Sequence, residues 1–200
     1  NLLENEIDNQ FSIGKQPKPQ LILCIASYRP LNKYNWCSQI INQSNLNEVI
    51  KRQILEPNLE KKIELSINNS KIITDKTSKK VKQQYEENPY PRWISSHLRL
   101  FPLSMAELIA ESNLKVNNLS INKINEPKVL IAGCGTGQQS LYAASLYKNS
   151  KILAIDLSIS SLKYAKRKTE ELGIENIEYI QHDILDLKNL KRKFDIIECV

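Results

Sequence analysis

Glycine is scarce in this chain, with only 5 in 200 residues, and together with 8 prolines and 4 cysteines this excludes collagen-like, low-complexity and disulfide-scaffold folds. No CxxC pair occurs among Cys24, Cys37, Cys134 and Cys199, so neither a zinc knuckle nor a redox dithiol is encoded, and a reduced, cytoplasmic chain is expected. Long apolar runs are missing too. The longest, Leu21 to Ala26, falls far short of the roughly 20 residues that a membrane helix needs, so no membrane partner is expected. Nothing near Asn1 has the basic-then-apolar order of a secretory signal, and with no initiator Met the true N-terminus is expected to lie upstream. What is present is ordinary globular content, 41% hydrophobic and 25% charged, in a length that suits one medium domain or two small ones. The net charge of +6 would help association with nucleic acid or acidic lipid, and a mixed, solvated surface explains it equally well.

Two regimes follow one another along the chain. Before about Glu126 the apolar residues recur at helical spacing: Leu21 to Tyr28, then Tyr34 to Leu55 with Trp36, Ile40, Leu46, Val49 and Ile50, a helix expected to end at Glu56-Pro57. A further helix is expected over Leu103 to Ser112, and an Asn- and Lys-rich surface connection over Lys115 to Asn125. After it, Lys128 to Ala132, Lys151 to Ile155, Ile177 to Ile180 and Phe194 to Val200 are short β-branched runs of the kind buried on both faces of a parallel sheet. Helical patterns, Gln138 to Tyr147 and Ser158 to Leu172, lie between them, the second with Ser158 as N-cap and Gly173 as the glycine past its end. Alternating strand and helix is the mark of a doubly wound parallel sheet, so the fold expected is α/β over 126–200 preceded by an α-helical region over 1–125. Pro89 and Pro91 make the segment from Tyr85 to Trp93 a turn or an extended strap.

The chemistry is expected where the glycines are. Gly133, Gly135 and Gly137 fall within five positions directly after the strand Val129 to Ala132 and before the helix at Gln138. That order sets backbone N–H groups and a helix N-terminus at the carboxyl edge of the sheet, where ligands of such folds bind. The spacing is GxGxG. A dinucleotide fingerprint would need glycine where Gln138 stands, which disfavours an NAD-linked enzyme. Asp156 ends the second strand 19 residues after Gly137, near the roughly 20 expected of a carboxylate that accepts from ribose hydroxyls; its alternative role is to cap the helix beginning near Ser158. Asp183 follows the third strand at the same edge, where it could accept from an adenine amino group or merely close a turn.

At these residues the chain resembles the class I AdoMet-dependent methyltransferases. Val129 to Gln138 resembles their first motif, Leu153 to Ser158 their second, His182-Asp183-Ile184 their third, and Phe194 to Glu198 the start of their fourth. The upstream Gln84 to Trp93, with Gln53 to Pro57 before it, resembles the helical region preceding the methyltransferase domain in a bacterial group often fused to tetratricopeptide repeats. The resemblance implies a Rossmann-like sheet, of which 126–200 is the first half only, and S-adenosyl-L-methionine as cofactor. It implies that Ala132, Gly133, Cys134, Gly135, Gly137 and Gln138 pass under the methionine and ribose, that Asp156 takes the ribose hydroxyls, that Leu157 packs on the adenine, and that Asp183 and Ile184 read the adenine edge. No metal and no catalytic side chain is implied. Many members carry an acid two positions before the first glycine to help hold the cofactor's amino group; Ile131 stands there in this chain, which implies weaker binding or an amino group held by backbone alone.

Other residues read more plainly. His182 is expected to be a polar residue leaving a strand, Cys134 a small residue demanded by the turn, Trp93 and His97 part of an aromatic loop packed on the sheet, and the run Lys163, Lys166, Arg167, Lys168 a solvated helix face. The methyl acceptor, small molecule or protein, is not encoded legibly; an RNA acceptor rests on the net charge alone, and a non-catalytic scaffold that only binds AdoMet is the reading from another class. Because Phe194 to Val200 is an apolar strand without an outer neighbour, residues 1–200 are expected to be poorly soluble, and a soluble, cooperatively unfolding monomer would contradict this.

Overall fold

A computed structural model describes residues 2–63, 68–69, 73, 75–112, 115–117 and 119–200. The chain divides into two compact units, Asn1–Lys62 and Ile63–Val200. The first unit holds helices α1 (Leu2–Ser12), α2 (Pro19–Ala26), α3 (Asn47–Ile50) and α4 (Glu56–Lys62). They enclose Ile7, Ile22, Leu31, Ile40 and Ile50, with Trp36 stacked between Phe11 and Tyr34 at 5.2 and 4.8 Å and its indole N–H donated to Asp8 at 2.8 Å. The single helix expected over Tyr34 to Leu55 is broken. Residues Asn35–Ile40 and Ser44–Leu46 form 3-10 turns, because Asn42, Gln43, Ser44 and Asn45 offer side-chain partners that compete with a helical backbone. Nor does the helix end at Pro57: a π-helical turn over Lys51–Leu55 widens the coil ahead of the proline, which has no N–H to donate, and α4 continues to Lys62.

The second unit is the α/β part. Strands β1 (Asn68–Asn69), β2 (Lys128–Ala132), β3 (Lys151–Asp156), β4 (Ile177–Gln181) and β5 (Ile196–Cys199) form one sheet in the order β1-β4-β3-β2-β5, every pairing parallel. Alternate residues serve opposite faces. Val129, Ile131, Ile152 and Ala154 pack with helices α7 (Gln138–Leu146) and α8 (Ile159–Glu171), while Leu130, Ala132, Leu153 and Ile155 meet Leu187, Leu190 and Phe194. Both faces being covered explains why these strands read as continuous apolar runs. Chain direction across the sheet reverses at β2, with β3 and β4 on one side and β5 on the other, so a crevice opens at the carboxyl ends of β2 and β5.

Residues 63–125 belong with this sheet rather than with the first unit, whereas the sequence pattern set a boundary near 125. Helix α5 (Lys76–Glu87) lies against α8, and the strap after it enters the core: Trp93 is 8% exposed, its indole N–H donates to the Thr136 carbonyl at 3.0 Å, and the Thr136 hydroxyl donates to the Pro91 carbonyl at 2.7 Å. The basic run on α8 is correspondingly not all solvated. Arg167 and Lys168 are 5% and 6% exposed, Arg167 lying over the Tyr164 ring at 4.8 Å and Lys168 donating to the Ile94 carbonyl at 3.3 Å. Arg92 covers Tyr164 at 4.6 Å. Apolar stems and ring faces let these cations pack inward. Helix α6 (Met105–Glu111) begins with a capping box, Ser104 and Glu107 each bonding the other's backbone.

Gly137 is where the glycine turn meets this core. At φ +84° it caps α7, and a Cβ there would stand 2.5 Å from the Ala165 Cβ. Gly137→Ala combines an overpacked contact with a left-handed alanine and is expected to destabilise the unit by about 2–5 kcal/mol, read as a lower urea midpoint at unchanged slope.

Candidate functional site

The carboxyl ends of β2, β3 and β4 are tied edge to edge by the loops that leave them. Gly133 and Cys134 both donate to the Ile155 carbonyl at 2.9 Å, His182 donates to the Asp156 carbonyl at 3.0 Å, and Val200 donates to the Ala132 carbonyl at 3.0 Å. Above this edge is a cavity of about 470 Å³, within the usual range for small-ligand sites. Its floor is the glycine turn. Of the residues expected there, Gly133, Cys134, Gly135 and Gln138 line it from the turn, Asp156 and Leu157 from the end of β3, and Ile184 from beyond β4. Ala132, Gly137 and Asp183 do not line it. Ala132 packs on the opposite face, Gly137 abuts Ala165, and the Asp183 carboxylate accepts from Leu185 N–H at 2.9 Å, capping the 3-10 turn Ile184–Asn189.

Asp156 organises the floor. Its Oδ2 accepts from Gly135 N–H at 2.8 Å and its Oδ1 from Ser158 N–H at 2.9 Å, so one carboxylate braces the glycine turn against the start of α8. The alternatives weighed for it, ligand acceptor or helix cap, are compatible. An ionised carboxylate offers about four lone-pair sites, and two accepted backbone bonds leave about two for a ligand diol. Burial pushes its pKa up, the backbone N–H groups of Ser158, Gly135 and Leu157 pull the other way, and the Glu86 carboxylate adds to the rise. Leu157 is held beside it by its carbonyl, which accepts from the Gln181 amide at 2.7 Å.

Ile131 is fully buried in the strand core, so the position two before the first glycine offers the cavity no carboxylate. Among the described residues no cluster of three or more metal-binding side chains occurs. The walls hold what sequence reasoning left out. Val81 and Tyr85 of α5, and Tyr90 and Pro91 of the strap, line the cavity, as do Thr136 and His182. The strap was legible as a proline-aromatic segment, but nothing local signals that it faces a ligand rather than only the core. The His182 ring nitrogen Nε2 lies 3.2 Å from the Asp186 carbonyl, a bond that orients it within the loop.

Cys134 sits in the floor with its thiol pushed well up, first by burial and then by the Asp156 charge. It is a packing residue, not a thiolate. Alkylation with iodoacetamide at pH 8 is expected to label the exposed Cys24 and Cys199 and to spare Cys134 until the chain is unfolded, as mass spectrometry of the digested protein would show.

Residues 129–200 match the family described as Methyltransferase domain. An uncharacterized protein of Synechococcus sp. is 35% identical over 79 residues, 39% of this chain and 19% of that protein. The release factor glutamine methyltransferase of Flavobacterium psychrophilum is 33% identical over 98 residues, 49% of this chain and 34% of that protein. Among solved structures, PKMT2 from Rickettsia typhi in complex with AdoHcy is 38% identical, with a TM-score of 0.34, over 36% of this chain and 14% of that one. The chain spans between 19% and 44% of the length of the first curated relatives it matches. With a glycine turn, a strand-end carboxylate and a parallel sheet, residues 129–200 are similar to the methyltransferase domains that this family describes.

Proposed function

We propose that the cavity floor binds S-adenosylmethionine and that the protein transfers its methyl group to an acceptor that these residues do not identify. The observation that carries this reading is the Asp156 carboxylate, braced by Gly135 and Ser158 and facing a cavity of about 470 Å³ over the glycine turn. Asp156 would accept from the ribose hydroxyls with its remaining lone pairs. Gly133 and Gly135 would admit the ligand to main-chain distance, and Leu157, its carbonyl pinned by Gln181, would pack on the adenine. The bound cofactor supplies a methyl group on a positively charged sulfur, an electrophile that needs no further activation. The chain's part is then to orient the two reactants and keep water out. The Tyr85, Tyr90 and Pro91 side of the cavity supports that second role. A cytoplasmic setting fits the four free cysteines, and no helix among the described residues is long and apolar enough to cross a membrane.

Ribose binding needs Asp156 ionised. Because its pKa is raised, AdoMet affinity should begin to fall, on acidification, at a higher pH than an ordinary carboxylate would give. The same shift acts on folding in the opposite sense: the folded state holds this proton more tightly than the unfolded chain, so the group's contribution to stability declines as pH rises from the unfolded towards the folded pKa.

Calorimetric titration of AdoMet, with NAD as control, tests the reading. Binding of AdoMet but not NAD is expected, with a loss of about 100-fold or more in Asp156→Ala, the worth of two hydrogen bonds to a charged group. A natively folded parent, checked by circular dichroism, that ignores AdoMet would sink it.

A further inference from the structure

The first turn of α8 follows Asp156 directly, and the first N–H groups of a helix have no acceptor within it. Here each has one. Ser158 N–H is taken by Asp156, Ser161 N–H by the Ser158 hydroxyl at 3.0 Å, and the two between them by a residue more than seventy positions upstream: Glu86, on α5, accepts from Ile159 N–H at 2.8 Å with Oε1 and from Ser160 N–H at 2.9 Å with Oε2. A two-pronged carboxylate on adjacent amides fixes both distance and orientation, and the positive end of the helix favours its charge. Glu86 thus grips the two residues that follow the Asp156-Leu157-Ser158 loop. It is also next in sequence to Tyr85, whose ring lines the cavity, and three residues before Pro89, where the chain turns into the strap clamped at Thr136.

We infer that Glu86 is a positioning residue of the cofactor site: through Ile159 and Ser160 it holds the Asp156 loop in its ligand-accepting geometry, and through its place in α5 it seats Tyr85 as a wall of the same cavity. The inference rests on the AdoMet reading. It goes beyond an ordinary helix cap because two carboxylates, Glu86 and Asp156, are brought to one helix end. The titratable groups around Asp156 are Glu86 and Tyr85 from α5, Cys134 from the glycine turn and His182 from the end of β4. Glu86 is the carboxylate among them, and its charge resists ionisation of Asp156. A cap that acted on folding alone would leave the acid limb of ligand binding where it was.

Glu86→Gln keeps the shape but has one acceptor oxygen and no charge. In the full chain, with circular dichroism to confirm the fold, AdoMet affinity at pH 7.5 is expected to fall about tenfold, the worth of one hydrogen bond to a charged group. The pH midpoint at which AdoMet binding is lost on acidification is expected to move lower, because Asp156 is relieved of a like charge. Glu86→Asp, which keeps the charge on a shorter arm, should weaken binding while leaving that midpoint near the parent's, and it carries the comparison should Glu86→Gln fail to fold. A lowered urea midpoint with unchanged AdoMet affinity and unchanged acid midpoint would reduce Glu86 to a structural cap and overturn the inference alone. Failure of the folded parent to bind AdoMet would overturn the reading beneath it and the inference together.

Discussion

The site depends on one carboxylate holding two turns apart at a fixed distance. Asp156 sits where β3 ends, and through Gly135 on one oxygen and Ser158 on the other it converts a glycine turn and a helix start into one rigid lip. The surrounding sequence is consistent with that demand. Gly133, Gly135 and Gly137 all take positive φ, which lets the main chain curl beneath the ligand space, and Ala165 is small enough for α8 to approach the turn. Ser158 completes the lip by capping α8 with its own hydroxyl. A buried acid is costly unless its oxygens are bonded. The backbone bonds to Asp156 meet that condition and leave it capacity for a ligand.

The second constraint is that this lip is not built from local sequence alone. Trp93, Thr136 and Tyr164 lock the strap to the turn and to α8, with the Tyr164 hydroxyl donated to the Trp93 carbonyl and two arginines over the Tyr164 ring. Each of the three hydrogen bonds joins residues 43 or more positions apart. The residues that would meet the ligand from above therefore come from a segment that precedes the family match.

What was legible in the sequence was what repetition and chemistry make local. Strands β2, β3 and β4 announce themselves because both faces are buried and their central positions are mostly apolar; the glycine turn and Asp156 do so because their spacing follows from the length of one strand-helix-strand unit. Ser158 and Gly173 mark the ends of α8 by the capping chemistry of their side chain and of its absence. What was not legible depended on partners distant in the chain. The apolar spacing from Trp36 to Leu55 suits a helix, yet Asn42 to Asn45 break it into 3-10 turns. Arg167 and Lys168 look solvated until Tyr164, Trp93 and the Ile94 carbonyl are brought to them. Glu86 falls in the segment read as a turn or strap, and only the fold sets it on α5 with its carboxylate on the first amides of α8. Asp183 and Gly137 belong to the motifs by position, but their contacts are to the loop and to the neighbouring helix rather than to the cavity.

The strap has a consequence for how such a chain can be cut and joined. The family match begins at Val129, yet the slot that Trp93 fills and the amides that Glu86 holds lie inside the matched segment. A transplanted piece beginning there would carry into its new host an empty indole slot and a helix start whose Ile159 and Ser160 N–H groups have lost their Glu86 acceptor. The division between the two compact units falls instead at Lys62 and Ile63, upstream of α5 and the strap. Recombination that shuffles this cofactor lip among longer proteins would therefore preserve the lip only by carrying α5 and the strap with it.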